Sequence, residues 1–324
     1  MGDISPVGFT NDGSYYFIVY SRWKENYFSD FDPKTGKLIG SLTQPFSGYK
    51  DCLDWSPDGR RIAYAEIEST PEGPGFFNGS LQIRNLDSGE DRKISSDIGV
   101  VGVRWSPDGR SLLVRGHQER KSIDNQLKTN LYLVDPQTGE TRLVAERPGS
   151  TILLGEWSAD GKGIYFVDRN AIVLHDLETD REKKLLTEPH LVGPLVLSPD
   201  GVYLAALIDD REKSCGLITV NVSNGEVKRA VSLSRPYSLS VTGITITGFD
   251  WSADGKYLFY LEQGENGGTN LCRVPRLGGT PEKLWHTDKT VRDLRIHPNG
   301  KQLTFGELRH EQLLWVMEGL TQGR

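Results

Sequence analysis

Several things are scarce in this chain of 324 residues. Cysteine occurs three times, at Cys52, Cys215 and Cys272, with no Cys-x-x-Cys pair. That excludes a full disulfide framework and a thiolate zinc ribbon, and it reads the thiols as small reduced hydrophobes. No apolar run reaches 18 residues, so no membrane-spanning helix is encoded. Positive charge is short as well. The 38 Lys and Arg face 44 Asp and Glu, a net charge of −6, so the basic footprint of a nucleic-acid binder is missing. Met1–Ser5 has no basic, then apolar, leader pattern. No segment sustains a 3.6-residue apolar period, which leaves almost no helix. A Gly-x-Ser-x-Gly nucleophile elbow is absent, which argues against serine-peptidase chemistry within this chain. Gly264–Gly268 and Gly278-Gly279 open no helix and therefore read as turns, not phosphate loops.

What is present is a repeat. Seven copies of one turn recur: Phe9-Thr10-Asn11-Asp12-Gly13, Trp55-Ser56-Pro57-Asp58-Gly59, Trp105-Ser106-Pro107-Asp108-Gly109, Trp157-Ser158-Ala159-Asp160-Gly161, Leu197-Ser198-Pro199-Asp200-Gly201, Trp251-Ser252-Ala253-Asp254-Gly255 and Ile296-His297-Pro298-Asn299-Gly300. Their glycines are spaced by 46, 50, 52, 40, 54 and 45 residues. Asp-Gly after Pro or Ala is tight-turn chemistry. The third residue after each glycine is large (Tyr16, Ile62, Leu112, Ile164, Leu204, Leu258, Leu303) and opens a run rich in aromatic and β-branched residues. A second turn follows at a lag, as in Asp32-Pro33-Lys34-Thr35-Gly36 and Asp135-Pro136-Gln137-Thr138-Gly139. Each unit is thus four strands, a to d. Four antiparallel strands every 40–54 residues is the signature of a propeller blade. The expectation is an all-β, seven-bladed β-propeller in one domain spanning 1–324, with blades near 4–46, 47–97, 98–149, 150–189, 190–240, 241–288 and 289–324. Too few residues remain for a fourth strand in the last blade, so it reads as three-stranded, or the chain as excised from a longer protein.

The Trp-Ser-Pro/Ala-Asp-Gly turn followed by an apolar strand resembles the WD40-like (PD40) repeat of the TolB and tricorn propeller group, over all the copies. That resemblance implies a module that binds a protein or peptide over the channel mouth, or gates substrates for a separate catalytic domain. The group also contains oligogalacturonate lyases, which implies a carbohydrate-active alternative. TolB has six blades and a smaller N-terminal domain, whereas seven blades and no such domain are expected of this chain.

Strand order puts the b–c and d–a connections on one face and the a–b and c–d turns on the other. The long connections 66–80, 116–129 and 233–245 all fall on the first face, where function concentrates. Candidate ligand contacts there are Trp23, Phe76, Phe77, His117, Arg120, Arg211, Arg235, Tyr237, Arg309 and His310, a mixture of aromatic and arginine typical of interfaces. The histidines (His117, His175, His190, His286, His297, His310) show no metal-binding spacing, so neither a metal nor another cofactor is expected. Five residues before the turn glycines stand Asp54, Arg104, Glu156, Asp250 and Arg295, with signs that alternate between neighbouring copies. They are expected to form ion pairs around the channel. No catalytic residue stands out. The reading is a monomeric, non-catalytic module for a protein, peptide or glycan. The compartment stays open, with an extracytoplasmic one allowed if the native N-terminus lies upstream.

Overall fold

The repeated turn is built by its own side chains. In Ser106-Pro107-Asp108-Gly109, the Ser106 hydroxyl donates to Asp108 at 2.6 Å and accepts from the Ser111 amide at 2.9 Å. Asp108 also accepts from the Arg110 amide at 3.0 Å, and Gly109 takes φ +68°, where a Cβ is strained. The turns at Ser158, Ser198 and Ser252 repeat these bonds. Each glycine packs on the Pro or Ala of the preceding turn: Gly109 on Pro57, Gly161 on Pro107, Gly201 on Ala159, Gly255 on Pro199 and Gly300 on Ala253. The small third position therefore seats the next blade.

The computed structural model describes residues 2–10, 14–46, 50–67, 79–95, 97–118, 129–147, 152–210, 214–234, 246–264 and 268–318, and these residues contain no helix. Three N-terminal strands come first: β1 (Gly2–Phe9), β2 (Tyr15–Phe31) and β3 (Leu38–Thr43). Blade 1 is β4 (Lys50–Trp55), β5 (Arg61–Ile67), β6 (Gly79–Asn85) and β7 (Asp91–Lys93). Blade 2 is β8 (Ile98–Trp105), β9 (Leu112–Gln118), β10 (Asn130–Val134) and β11 (Thr141–Ala145). Blade 3 is β12 (Glu156–Trp157), β13 (Gly163–Asp168), β14 (Ala171–Asp176) and β15 (Arg181–Thr187). Blade 4 is β16 (Leu191–Leu197), β17 (Tyr203–Asp209), β18 (Ser214–Asn221) and β19 (Val227–Ser234). Blade 5 is β20 (Ile246–Trp251), β21 (Tyr257–Gln263), β22 (Thr269–Pro275) and β23 (Glu282–Thr287). Last come β24 (Val291–Ile296) and β25 (Gln302–Met317). All pairings are antiparallel, and all but two join strands adjacent in sequence: β2 pairs with β25, and one bridge, Gly79 to Val100, joins blades 1 and 2.

Among the described residues six four-stranded units are found, not the seven expected. The sixth is assembled from both ends of the chain. β24 pairs with the first half of β25, that half pairs with the second half of β2, and β2 pairs with β3. The last blade is therefore four-stranded, and the segments expected to be two blades, 4–46 and 289–324, share one. The remaining halves of β2 and β25, with β1, form a three-stranded arm in which Gly2 pairs with Ser21 and Tyr15 with Met317. Its last strand exposes Leu314, Trp315, Val316 and Met317. The first turn copy, Phe9–Gly13, falls in sequence between β1 and β2 of that arm and does not open a blade of its own. It lacks the serine that five of the other six copies carry and the Pro or Ala that seats the next blade.

The seam between blades 6 and 1 carries its own chemistry. Phe28 of β2 packs on Trp55 at 5.2 Å and on Phe46 at 5.7 Å between ring centroids. His297 replaces the usual serine, meets Trp55 edge-on at 4.4 Å, and donates through Nε2 to the Gly59 carbonyl at 3.1 Å. A Cβ on Gly59 would collide with that imidazole. Beside this, the Lys24 ammonium of β2 is buried and bridges Asp51 of blade 1 and Asp293 of blade 6, the latter at 2.6 Å. The lysine stem passes over Gly306, where a side chain would occupy the same space. Burial by itself would lower the lysine pKa, but the two carboxylates outweigh it and hold the group above its ordinary value. Lys24→Met is expected to cost on the order of 3 kcal/mol in urea unfolding, the low end for a broken buried pair, because Asp51 and Asp293 can rehydrate. A loss below about 1 kcal/mol would show that the seam does not depend on Lys24.

Candidate functional site

The innermost strands surround the axis, and five of the six are interrupted one to four residues before the turn-side end of the strand. Register breaks fall at Asp51/Asp54, Val100/Gly102, Val192/Leu195, Ile246/Gly248 and Arg292/Arg295. Cys52, Gly193 and Asp293 take positive φ there. Such bulges re-aim side chains and bend the strand away from its neighbour. The result is a partly open cavity of about 290 Å3 on the axis, lined from all six blades. Because the inner strands begin at this level, the cavity lies toward the face of the b–c and d–a connections.

Its wall is apolar for the most part, with Leu53, Val101, Leu153, Leu154, Pro194, Leu207, Ile246, Phe249 and Leu294. Set into it are four arginines, Arg104, Arg115, Arg292 and Arg295, against one carboxylate, Asp293. Cys52 also lines it. Its thiol donates to the Val101 carbonyl at 3.1 Å, and burial pushes its pKa up, so it stays protonated.

Closer to the a–b turns, next to the last residue of the inner strands, lies a belt of charge. Arg104 stands 3.7 Å from Asp54 and 3.7 Å from Glu156, and Arg295 stands 3.7 Å from Asp54 and 3.8 Å from Asp250. The run Glu156–Arg104–Asp54–Arg295–Asp250 thus links five of the six blades, and Val196 occupies the remaining inner position. These separations exceed charge-assisted hydrogen bonds, which sit near 2.8 Å. The carboxylates bond to backbone amides instead. Asp54 accepts from Trp105 and Asp250 from Ile296, each at 2.8 Å and each on the next blade. Glu156 accepts from Trp157 at 2.8 Å. Burial raises all three carboxyls, to about 6 for Asp54 and about 7 for both Glu156 and Asp250, despite the arginines.

The other sequence candidates are scattered. Phe76, Phe77, Arg120, Arg211, Arg235 and Tyr237 lie outside the described residues. For Trp23 and His310 the backbone is described: Trp23 pairs with Arg309, and His310 with Arg22, on the β2–β25 ladder. Arg309 is engaged there, with Glu25 at 2.8 Å, Glu307 at 3.0 Å and the Tyr27 hydroxyl at 3.3 Å, away from the cavity. His117 is half-buried on β9, opposite Gly99. Among the described residues no three His, Cys, Asp or Glu side chains converge as metal ligands do.

Two cavity residues escaped the sequence reading, Arg115 and Arg292. For Arg115 a signal existed. Six residues after the turn glycine, the other inner copies carry Ala65, Val167, Leu207, Leu261 and Gly306. A lone arginine in a core register is a departure that repeat alignment exposes. Gly306 in the same register is the space Lys24 uses.

No protein-family model matches the chain. It is 35% identical over 141 residues to dipeptidyl-peptidase 5 of Porphyromonas gingivalis, a match covering 42% of this chain and 20% of that one. It is 32% identical over 189 residues to an uncharacterized peptidase of Bacillus subtilis, covering 56% and 25%. A third relative, the Tol-Pal system protein TolB of Alcanivorax borkumensis, is 46% identical over 59 residues, covering 18% and 12%. The chain therefore spans a quarter or less of the curated relatives it matches. Among solved structures, a putative TolB from Agrobacterium tumefaciens superposes with a TM-score of 0.63 at 17% identity, over 89% of this chain and 99% of that one. An oligogalacturonate lyase in complex with manganese superposes with 0.58 at 12%, over 94% and 96%. Relatives and structural neighbours are thus TolB and related propeller proteins, in keeping with the TolB/PD40-type repeat.

The belt makes a pH prediction. Glu156 deprotonates at the ordinary 4.5 when unfolded and near 7 when folded, so its share of stability is full below 4.5 and lost as pH rises to 7. Glu156→Gln removes that loss. The stability advantage of the native chain over Glu156→Gln should shrink by about 2 kcal/mol between pH 5 and 7 in urea melts. A constant difference would contradict the raised carboxyl.

Proposed function

We propose that the chain is a non-catalytic recognition module that takes part of a protein or peptide partner into the mouth of its central channel. The observation that carries this reading is the axial cavity of about 290 Å3, apolar-walled and partly open, on the face bearing the long connections. Its size is at the lower edge of ligand sites, roughly 300–1,000 Å3, which suits the end of a chain better than a large cofactor. Phe76, Phe77, Arg120, Arg235 and Tyr237, in connections outside the described residues, are candidate contacts with the partner on sequence grounds. The likeness to TolB, by its name a component of the Tol-Pal system, supports a protein partner at a coarse level.

A second reading is favoured by the two peptidase relatives. In it the propeller is the non-catalytic part of a larger peptidase and the channel mouth screens substrates. The lyase reading draws only on likeness of fold.

Selection of displayed peptides on the immobilised chain tests the proposal. Selected peptides should bind at least tenfold more weakly to Leu154→Trp or Thr247→Trp, which fill the cavity from different blades, while each variant keeps its thermal midpoint within a few degrees. Equal binding to native chain and both variants would reject the channel mouth as the site. Growth of unsaturated-uronide absorbance with oligogalacturonate would reject the non-catalytic role.

A further inference from the structure

We propose that the chemical group selected by the channel is a carboxylate, the terminal carboxylate of an extended peptide with an apolar last residue, and that Arg115 is its anchor. This rests on the reading of the channel mouth as a peptide site. The argument begins with charge. Of the cavity's four arginines, Arg104 and Arg295 are matched by the belt carboxylates. The cavity's own carboxylate, Asp293, is taken by Lys24. Arg115 makes no ion pair among the described residues. Its one hydrogen bond there runs from Nε to the Thr129 hydroxyl at 3.1 Å.

That bond fixes the plane of the guanidinium and leaves its terminal nitrogens for a ligand. A planar fork of donors matches a carboxylate in two parallel bonds. The side chain is costly where it stands. Desolvation lowers the Arg115 pKa from its ordinary value, and equivalent positions in the other blades are apolar or glycine. The blade fold therefore does not require a cation at this register. An incoming carboxylate would offset the cost, and the low-polarity wall would strengthen the pair relative to one in water. Arg292, on the other side of blade 1, lines the same cavity.

The wall also chooses among carboxylates. Leu153, Leu154 and Phe249 offer no hydrogen bonds to hydroxyl groups. A sugar acid would leave its hydroxyls unpaired against them, whereas an aliphatic or aromatic side chain next to a terminal carboxylate would be buried favourably.

Fluorescence polarisation with the whole chain tests this. The probes are an octapeptide ending in Leu-Phe with a free carboxylate and the same peptide amidated, with trigalacturonate as competitor. The free acid should bind the native chain at least tenfold more tightly than the amide. Arg115→Met should abolish that difference, Arg115→Lys should leave part of it, and Arg110→Ala, exposed on the opposite face, should leave it intact. If Arg115→Met does not fold, the acid–amide comparison on the native chain and on Arg115→Lys decides. Equal binding of acid and amide, both blocked by Leu154→Trp, would overturn the carboxylate anchor and leave the peptide site standing. Displacement of the acid peptide by trigalacturonate at lower concentration than by unlabelled peptide would overturn the ligand class. Absence of any peptide binding would overturn both readings.

Discussion

Lys24 is carried near the N-terminus, yet its ammonium sits between Asp51 of the first blade and Asp293 of the sixth. A propeller is as strong as the seam where its chain ends meet, because every other interface is supported by continuous backbone. Here the seam combines a strand ladder, an aromatic cluster around Trp55 and Phe28, and one buried cation. The cation also explains the glycine at position 306, since no side chain fits beneath the lysine stem. The positive φ of Asp293 belongs to the same bulge that aims its carboxylate at the lysine.

Around the axis the same logic is repeated at lower strength. The belt from Glu156 to Asp250 tethers blades through carboxylate-to-amide bonds that cross from one inner strand to the next. Its arginines sit nearly 4 Å from their carboxylates, too far to repay burial fully, so the acids hold their protons toward neutrality. Buried charges in such a run serve registry more convincingly than stability. They lie beside the cavity, with Arg104 and Arg295 common to both. The functional proposals thus follow from a mechanical feature, the register breaks in five of the six inner strands.

Much of this was legible in the residues. Trp55, Trp105, Trp157 and Trp251 marked the inner strands. The Ser-Pro/Ala-Asp-Gly chemistry marked the turns, and the alternating signs at Asp54, Arg104, Glu156, Asp250 and Arg295 marked residues that the fold gathers at the axis. Arg115 was legible in principle, as the one charged residue in its register, but only after the copies are aligned to a strand that faces the channel. Arg309 shows what local sequence leaves out. Its place near a loop suggested a ligand contact, while Glu25 and Glu307, brought to it by a ladder between distant segments, already occupy it.

Local sequence determined the turns, the four-strand unit and the all-β class, because these depend on side chains within a few residues of one another. The count of blades was decided by tertiary structure alone. Whether Phe9–Gly13 starts a blade or caps a hairpin depends on which strand lies beside β2. That partner, β25, is nearly three hundred residues away in the chain. The cavity was decided in the same way, since its wall takes residues from all six blades and no single repeat contains enough of it to be read.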